Sequence, residues 1–224
     1  MKSMQAKICF SVLLLSICSV PATYAQQILF DDATVGKVPT GWQAEGTNQR
    51  GPVAIWAVKA DANAPSAPNI MALVDAKKGR RPTFNLLWTD NIQFTDGTIE
   101  LKVKAGKGEI DQGGGPVWRV QDKDNYYIAR WNPLEDNFRV YYVKDSIRMQ
   151  LDSAEIKADP AKWHTIRVEH KGDTIVGYLD GQALLKVTDS TFPEGGGVGL
   201  WTKADAVTSF DDFSVVASTG EKVK

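Results

Sequence analysis

The stretch from Gly113 to Val143 constrains the fold more than any other part of the chain, because aromatic and β-branched residues alternate there with polar ones. Such alternation is typical of β-strands, whose side chains point in turn to opposite faces of a sheet. We predict three short strands in this stretch, Val117–Gln121, Asn125–Trp131 and Phe138–Val143. Turn residues separate the three runs, which strengthens the prediction.

Similar patterns extend through the rest of the chain. The segment Gly97–Lys104 alternates cleanly and is the clearest single strand, and an Asp-Gly pair at 180–181 predicts a hairpin between Thr174–Leu179 and Ala183–Val187. Ser153–Lys162 is expected to hold one short helical turn, and no segment has the pattern of an amphipathic helix. About a dozen short strands with regular turns predict an all-β fold, a two-sheet antiparallel β-sandwich in one domain.

Residues 1–25 have the pattern of a secretory signal peptide. Two lysines precede the apolar run Ile8–Val20, which is too short to cross a bilayer, and small residues stand at the usual cleavage positions. We therefore expect a secreted or periplasmic protein. The folded domain is predicted to cover residues 26–217, followed by a short tail, residues 218–224.

Both cysteines, Cys9 and Cys18, lie in this leader, so the predicted domain has neither a disulfide nor thiol chemistry. Leu15–Cys18 resembles a bacterial lipobox, in which Cys18 would be acylated and retained as the first residue. Ile17 stands where that motif has a small residue, which favours ordinary secretion over a lipoprotein.

The charge of the chain argues against one class of partner. It has 26 basic and 27 acidic residues, a formal net charge of −1, with no basic tail and no block of like charge. Nucleic acid is therefore not the expected partner. No second apolar run is long enough to span a membrane.

Three segments carry a resemblance to a known family: residues 163–185, the Gly195–Leu200 turn and strand, and the run SFDDFSV at 209–215. They resemble the C-terminal half of a concanavalin A-like lectin/glucanase jelly roll. The chain is most similar to the secreted 3-keto-disaccharide hydrolase family and its laminin-G-like relatives, which carry runs like Asn125–Val143. The resemblance implies that the first strand pairs beside the last and that a concave face meets carbohydrate. It does not imply one activity, because this fold hosts glycosidases, lyases, lectins and adhesion modules.

Each of the three predicted central strands contains one arginine, and arginines are rarely buried without a partner. If the strands bring these arginines onto one face, that face is a hydrated groove suited to sugar, since the planar guanidinium fork matches vicinal oxygens and aromatic faces pack on C–H surfaces. The candidate substrate-binding residues are Arg119, Gln121, Arg130, Asn132, Arg139, Trp201 and Lys203. The alternative is that the arginines form surface ion pairs with turn acids, namely Asp122, Asp124, Glu135 or Asp136.

Two acids and a histidine are candidate catalytic residues. The segment containing Glu109 and Asp111 is similar to the catalytic strand of family-16 glucanases, although Gly113 replaces the second glutamate and argues against that mechanism. The alternative is a loop with two solvated acids. His164 shares a strand face with Ile166, which predicts a buried, hydrogen-bonded ring, while the resemblance offers it as a base that abstracts a proton beside a ketone.

A structural calcium ion is a further expectation. If the last strand lies beside the first, Asp31 or Asp32 approaches Asp211 or Asp212, and clustered carboxylate oxygens suit Ca²⁺. The resemblance also implies calcium in this region, and the alternative is a set of turn and edge acids with no metal. No cofactor is required for the expected function.

Two classes of function remain open. The first is a non-catalytic glycan-binding domain that engages an oligo- or polysaccharide on its concave face. The second is a glycan-processing enzyme that resembles 3-keto-glycoside hydrolases or lyases and draws an acid or base from Glu109, Asp111 or His164. The missing second glutamate favours binding.

Overall fold

The computed structural model of the protein describes residues 23–77 and 80–218, which form fifteen strands. No helix in this described part is long and apolar enough to span a membrane. The predicted leader up to residue 22 and the predicted tail after residue 218 lie outside the described residues. Residues 23–25 begin the first strand.

The strands run through nearly the whole described chain. In chain order they are β1 (Thr23–Ile28), β2 (Gln43–Thr47), β3 (Ile55–Ala60), β4 (Asn69–Asp75), β5 (Phe84–Phe94), β6 (Asp96–Ala105), β7 (Gly115–Asp122), β8 (Asn125–Asn132), β9 (Asn137–Lys144), β10 (Ile147–Glu155), β11 (His164–Lys171), β12 (Thr174–Leu179), β13 (Gln182–Thr188), β14 (Gly196–Lys203) and β15 (Thr208–Ser218).

The strands form two antiparallel sheets. Sheet A has eight strands in the order β13-β12-β11-β6-β15-β4-β3, with β1 paired to β15, and sheet B has seven in the order β10-β9-β8-β7-β14-β5-β2. The first strand therefore pairs with the last, from Thr23 opposite Ser218 to Ile28 opposite Phe213. These pairings confirm the predicted two-sheet sandwich with concanavalin A-like jelly-roll topology.

Alternate side chains of β6 belong to the main core between the two sheets. Ile99, Leu101 and Val103 are buried in that core, whereas Glu100 and Lys102 between them are only partly buried. The strand predicted from this segment is confirmed, as are the three strands predicted between Gly113 and Val143, which appear as β7, β8 and β9.

Sheet B buries apolar side chains on both of its faces. Leu87, Trp118 and Leu200 belong to the main core. Residues at alternating positions, such as Leu86 and Trp201, form a second buried cluster on the opposite face. That opposite face carries the candidate site described below.

The second face of sheet B is concave. The guanidinium carbon of Arg148 in β10 lies 5.1 Å from the centroid of the Phe84 ring in β5. Five strand steps separate β10 from β5, and a flat sheet would place these strands about 24 Å apart. No side chain bridges such a distance, so the sheet must curl to bring its two ends together.

One sequence prediction about secondary structure is wrong. Ser153–Lys162 does not hold a helical turn: β10 continues through Glu155, paired to β9, and the N–H of Ile156 donates to the carbonyl of Asp136 at 2.9 Å. One non-helical turn follows, in which the N–H of Lys162 donates to the carbonyl of Asp159 at 3.1 Å.

The histidine at the end of β11 is a buried neutral side chain. Trp118 Nε1 donates a hydrogen bond to His170 Nδ1 at 2.9 Å, which requires that nitrogen to be unprotonated. Burial lowers the pKa of His170 to about 4, and the positive charge of Arg119 acts in the same direction. The neutral ring is therefore part of the folded core.

We predict that acid weakens the fold through His170. The unfolded chain binds this proton near pH 6.5, whereas the folded chain binds it only near pH 4, so the stabilisation is present above pH 6.5 and is lost as the pH falls towards 4. The contribution is about 3 kcal/mol. Urea unfolding at neutral and mildly acidic pH should show a smaller pH dependence for His170→Gln than for the wild type. An NMR titration midpoint near 6.5 for this ring would contradict the account.

Candidate functional site

Arg119 does not lie on the concave face with the other predicted arginines. Its backbone adopts a positive φ of 47°, and the pairing of β7 with β8 shifts register between Trp118 and Asp122. This bulge turns the buried side chain toward one end of the sandwich. There its guanidinium donates to the carbonyls of Thr95 at 2.9 Å and Phe192 at 2.7 Å. The prediction that it binds substrate is wrong, because the bulge breaks the alternation on which the prediction depended.

Two further predicted binding residues form hydrogen bonds within the protein. The side-chain amide of Gln121 donates to the carbonyls of Arg119 at 3.2 Å and Gly195 at 3.1 Å, at the same end of the sandwich. Trp201 lies in the floor of the concave face with no exposed surface, and its Nε1 donates to the Tyr126 hydroxyl at 3.4 Å. Its ring is therefore not available to stack on a sugar.

The structure does bring four of the predicted residues together, three of them around the buried carboxylate of the fourth, Asp111. Asp111 has no exposed surface. Lys203 Nζ lies 2.6 Å from Asp111 Oδ2, Arg130 Nη2 lies 3.7 Å from Oδ1, and Asn132 Nδ2 donates to Oδ1 at 3.1 Å. Asp111 thus neutralises part of the positive charge on this side of sheet B.

The loop before β7 is held in place by a carboxylate that sequence reasoning missed. Asp205 accepts hydrogen bonds from the backbone N–H groups of Glu109, Ile110 and Asp111 at 2.8 to 3.1 Å. Burial raises the pKa of Asp205, but these three donors outweigh it and the pKa lies below its ordinary value. The resemblance of this segment to a catalytic strand is therefore wrong, because the segment is a capped loop in which Glu109 is exposed and Asp111 is fully paired.

Glu135 joins two arginines of the concave face. Its Oε2 accepts from Arg130 Nη2 and from Arg139 Nη1, each at 3.1 Å, and from Asn137 Nδ2 at the same distance. Burial raises the pKa of Glu135, but the charge of Arg130 and these hydrogen bonds outweigh it, so the pKa lies below its ordinary value. The ion pairs match the alternative that the sequence left open, although here they lie on the concave face and one partner is fully buried.

Arg148 is a member of this site that the sequence analysis missed. Its guanidinium carbon lies 4.4 Å from the centroid of the Tyr141 ring and 6.0 Å from that of Trp201. Burial lowers the pKa of Arg148, and the nearby charge of Arg130 acts in the same direction. The β9–β10 hairpin places it there, because Arg148 pairs with Val143, which shares a strand face with Tyr141.

We call this set of ionic side chains the concave cluster: Asp111, Arg130, Glu135, Arg139, Arg148 and Lys203. It contains four cations and two carboxylates. Several buried polar atoms in or beside it have no hydrogen-bond partner among the described residues, namely Arg130 Nε, Arg130 Nη1, Arg148 Nη1 and the Tyr141 hydroxyl. The cations that a ligand can reach are the partly exposed Arg139 and Lys203, which are 30% and 11% exposed.

His164 lies on the other side of sheet B from the concave cluster. Its ring centroid is 4.6 Å from that of Trp131, a main-core residue. Nδ1 lies 2.7 Å from a carboxylate oxygen of Asp180, and Nε2 lies 2.8 Å from the carbonyl oxygen of Asp159. The buried, hydrogen-bonded interpretation is correct, and the prediction of a proton-abstracting base beside the sugar is wrong.

Two of the predicted calcium ligands hold backbone segments. Asp31 Oδ1 accepts from the backbone N–H of Asn69 at 3.1 Å, while the Asp211 carboxylate accepts from the N–H and hydroxyl of Ser66, each at 2.8 Å. No group of three or more His, Cys, Asp or Glu side chains in residues 23–77 and 80–218 is placed to hold a metal ion. A calcium site formed by Asp31 or Asp32 with Asp211 or Asp212 stays a prediction.

We predict that neutralising Asp111 destabilises the domain. Asp111→Asn leaves Lys203 without its counter-charge and Arg130 with Glu135 as its remaining partner, which should cost about 3 kcal/mol of unfolding free energy. Adding Lys203→Met removes one uncompensated charge and should recover part of this loss. Chemical denaturation of both single variants and the double variant measures the coupling, and additive losses would contradict the described pairing.

Comparison with known proteins assigns the chain to a family. The model for "Galactocerebrosidase, C-terminal lectin domain" matches residues 103–218, which include every member of the concave cluster. No curated protein sequence matches the chain significantly.

Three solved structures share the fold. The carbohydrate binding module CBM66 from Bacillus subtilis superposes with a TM-score of 0.61 at 20% identity, covering 78% of this chain and 95% of that one. A GH16 protein from Bacteroides ovatus gives 0.57 at 11% identity, covering 85% and 99%, and the Bacillus licheniformis beta-glucanase gives 0.55 at 13%, covering 87% and 98%. These identities establish only the jelly-roll fold. The chain itself, matched over more than half of its length, belongs to the family of galactocerebrosidase C-terminal lectin domains.

Proposed function

We propose that this domain binds carbohydrate against the concave cluster without cleaving it, and that it does so outside the cytoplasm. Membership of a lectin-domain family supports the carbohydrate partner. The apolar run Ile8–Val20 with its small-residue flank supports secretion or a periplasmic location.

The observation that carries the proposal is the set of charged groups that the concave cluster keeps at the surface. The side chains of Arg139, Glu135 and Lys203 are 30, 38 and 11% exposed. Sugar hydroxyl and ring oxygens can accept hydrogen bonds from the two cations, and sugar hydroxyl groups can donate to the carboxylate. The donors of Arg130 that have no partner among the described residues are buried, so a sugar reaches them only where the side chains in front of them move aside.

A cleft gives a sugar access to the cluster. It has a volume of about 400 Å³ and is lined by Glu135, Asp136, Glu155, Ile156 and Lys157. That volume lies within the range of ligand-binding clefts. Its lining combines acceptors with a donor, which suits hydroxyl groups because each hydroxyl both donates and accepts a hydrogen bond.

The state of the acids favours binding over hydrolysis. Glycosidases require one carboxyl group that stays protonated long enough to act as an acid. Asp111 is buried between two cations, and the pKa of Glu135 lies below its ordinary value because the charge of Arg130 outweighs the effect of burial. Glu135 is therefore poorly suited to donate a proton near neutral pH.

A second candidate function is the glycan-processing enzyme that resembles 3-keto-glycoside hydrolases or lyases. One observation favours it: Asp111 and Glu135 approach the same nitrogen, Arg130 Nη2, at 3.7 and 3.1 Å. Two carboxylates are thus close together beside a cleft, as glycosidases require.

The two candidates predict different outcomes with substrate. We expect purified protein incubated with 3-keto-disaccharides and a panel of oligosaccharides to leave them unchanged by mass spectrometry, because the lowered pKa of Glu135 keeps the carboxyl group beside the cleft ionised. Turnover that disappears in Glu135→Gln would instead establish the enzyme and refute the non-catalytic proposal.

We predict that Arg148→Met weakens glycan binding by about tenfold or more, because it removes one charged donor worth about 1.5–3 kcal/mol. Met retains much of the side-chain volume over Phe84 and Tyr141. Affinity electrophoresis against a polysaccharide panel, followed by calorimetry on the best ligand, measures the change.

Arg167→Met supplies a matched control. Its guanidinium carbon lies 4.0 Å from the centroid of the Tyr178 ring, a similar stacking arrangement on sheet A. This variant should bind glycan as the wild type does. An equal loss of glycan affinity in the two variants, or a loss only in Arg167→Met, would contradict a binding site at the concave cluster.

A further inference from the structure

A second cleft lies at the other end of the concave face. It has a volume of about 320 Å³ and is lined by Asn48, Gln49, Arg50, Arg80 and Pro82. The first three residues belong to the β2–β3 connection and the last two to the β4–β5 connection. Two separate loops therefore contribute one arginine each to the same cleft.

Neither arginine has a counter-charge within the described part of the chain. The side chains of Arg50 and Arg80 are exposed, and neither forms an ion pair or hydrogen bond with a described residue. By contrast, Lys77 on the same β4–β5 connection pairs with Asp75 at 2.7 Å. The cleft thus concentrates free positive charge on a chain whose formal net charge is −1.

Such a cleft suits an anionic group. A guanidinium presents two parallel N–H donors that match the oxygens of a carboxylate or sulfate, and two guanidinium groups repel each other unless an anion lies between them. Exposed charges in salt are screened, so the energetic gain comes mainly from direct hydrogen bonds to the anion.

A hydrogen bond connects this cleft to the concave face. Asn48 Nδ2 donates to the carbonyl of Ser146 at 3.0 Å, and Ser146 lies in the turn just before β10. Arg148 follows two residues later, while Glu155 at the far end of β10 lines the cleft beside the concave cluster. The strand between Ile147 and Glu155 is about 26 Å long, so only an extended glycan can reach both clefts.

We propose that Arg50 and Arg80 form a second subsite that binds carboxylate or sulfate groups of an acidic oligosaccharide, whose other end lies against the concave cluster. This inference rests on the proposed carbohydrate-binding function and adds the class and extent of the ligand. A single neutral sugar would occupy only the cleft beside the concave cluster, whereas an extended chain with acidic groups would occupy both clefts.

The test compares acidic with neutral glycans on the purified protein. Oligogalacturonides of increasing length and dextran sulfate are titrated by calorimetry, with maltooligosaccharides and unsubstituted dextran as neutral counterparts. Arg50→Gln/Arg80→Gln should weaken binding of the long acidic chains by about tenfold or more, with little change for short ones. Arg167→Gln/Lys186→Gln removes two cations from sheet A and should leave acidic binding unchanged.

Each other outcome overturns the inference in a recognisable way. Tight binding of neutral glycans alone, or of acidic glycans with equal strength by wild type and Arg50→Gln/Arg80→Gln, refutes the acidic subsite while the proposed function stands. Binding of single-stranded DNA as tight as that of dextran sulfate refutes glycan selectivity. Absence of binding to any glycan refutes both the subsite and the proposed function.

Discussion

The candidate site depends on the curl of sheet B. Pleating sends alternate side chains of its strands to the second face, and the curl then folds that face around an apolar floor that includes Trp201 and Ile128. Charges above such a floor are poorly hydrated and must find partners within the protein. The two carboxylates, Asp111 and Glu135, neutralise only part of the charge of the four cations. Some polar atoms in or beside the concave cluster have no hydrogen-bond partner among the described residues.

The fold was predictable because its main signals are local. Alternation in β6 to β9 and the Asp-Gly hairpin between β12 and β13 agree with the structure. The pairing of the first and last strands also agrees, but it was implied by the family resemblance and not by a local pattern. The site was only partly predictable, since alternation assigns faces correctly only where the ladder is regular. Arg130 and Arg139 keep their predicted face, whereas the bulge at Arg119 redirects that side chain. Asp205 holds the Asp111 loop across about ninety residues, a contact that no local pattern encodes.

The jelly roll by itself does not decide between lectin and enzyme. The same architecture supports a carbohydrate binding module and beta-glucanases at low identity to this chain, and function depends on the side chains placed on the concave face. Here carboxylates are paired with cations, and the two histidines serve the interior of the sandwich, where His164 contacts Trp131 and His170 contacts Trp118. The proposed binding function relies on the hydrogen-bonding groups of the concave face.

The most direct test of the central claim follows the arginine Nε–H signals by NMR while a bound glycan is titrated. The account predicts that the buried Arg130 signal is protected from exchange in the free protein and shifts on binding together with that of Arg148, while the Arg167 signal on sheet A stays unchanged. Shifts confined to sheet A, with the Arg130 and Arg148 signals unmoved at saturation, would contradict carbohydrate binding on the concave face.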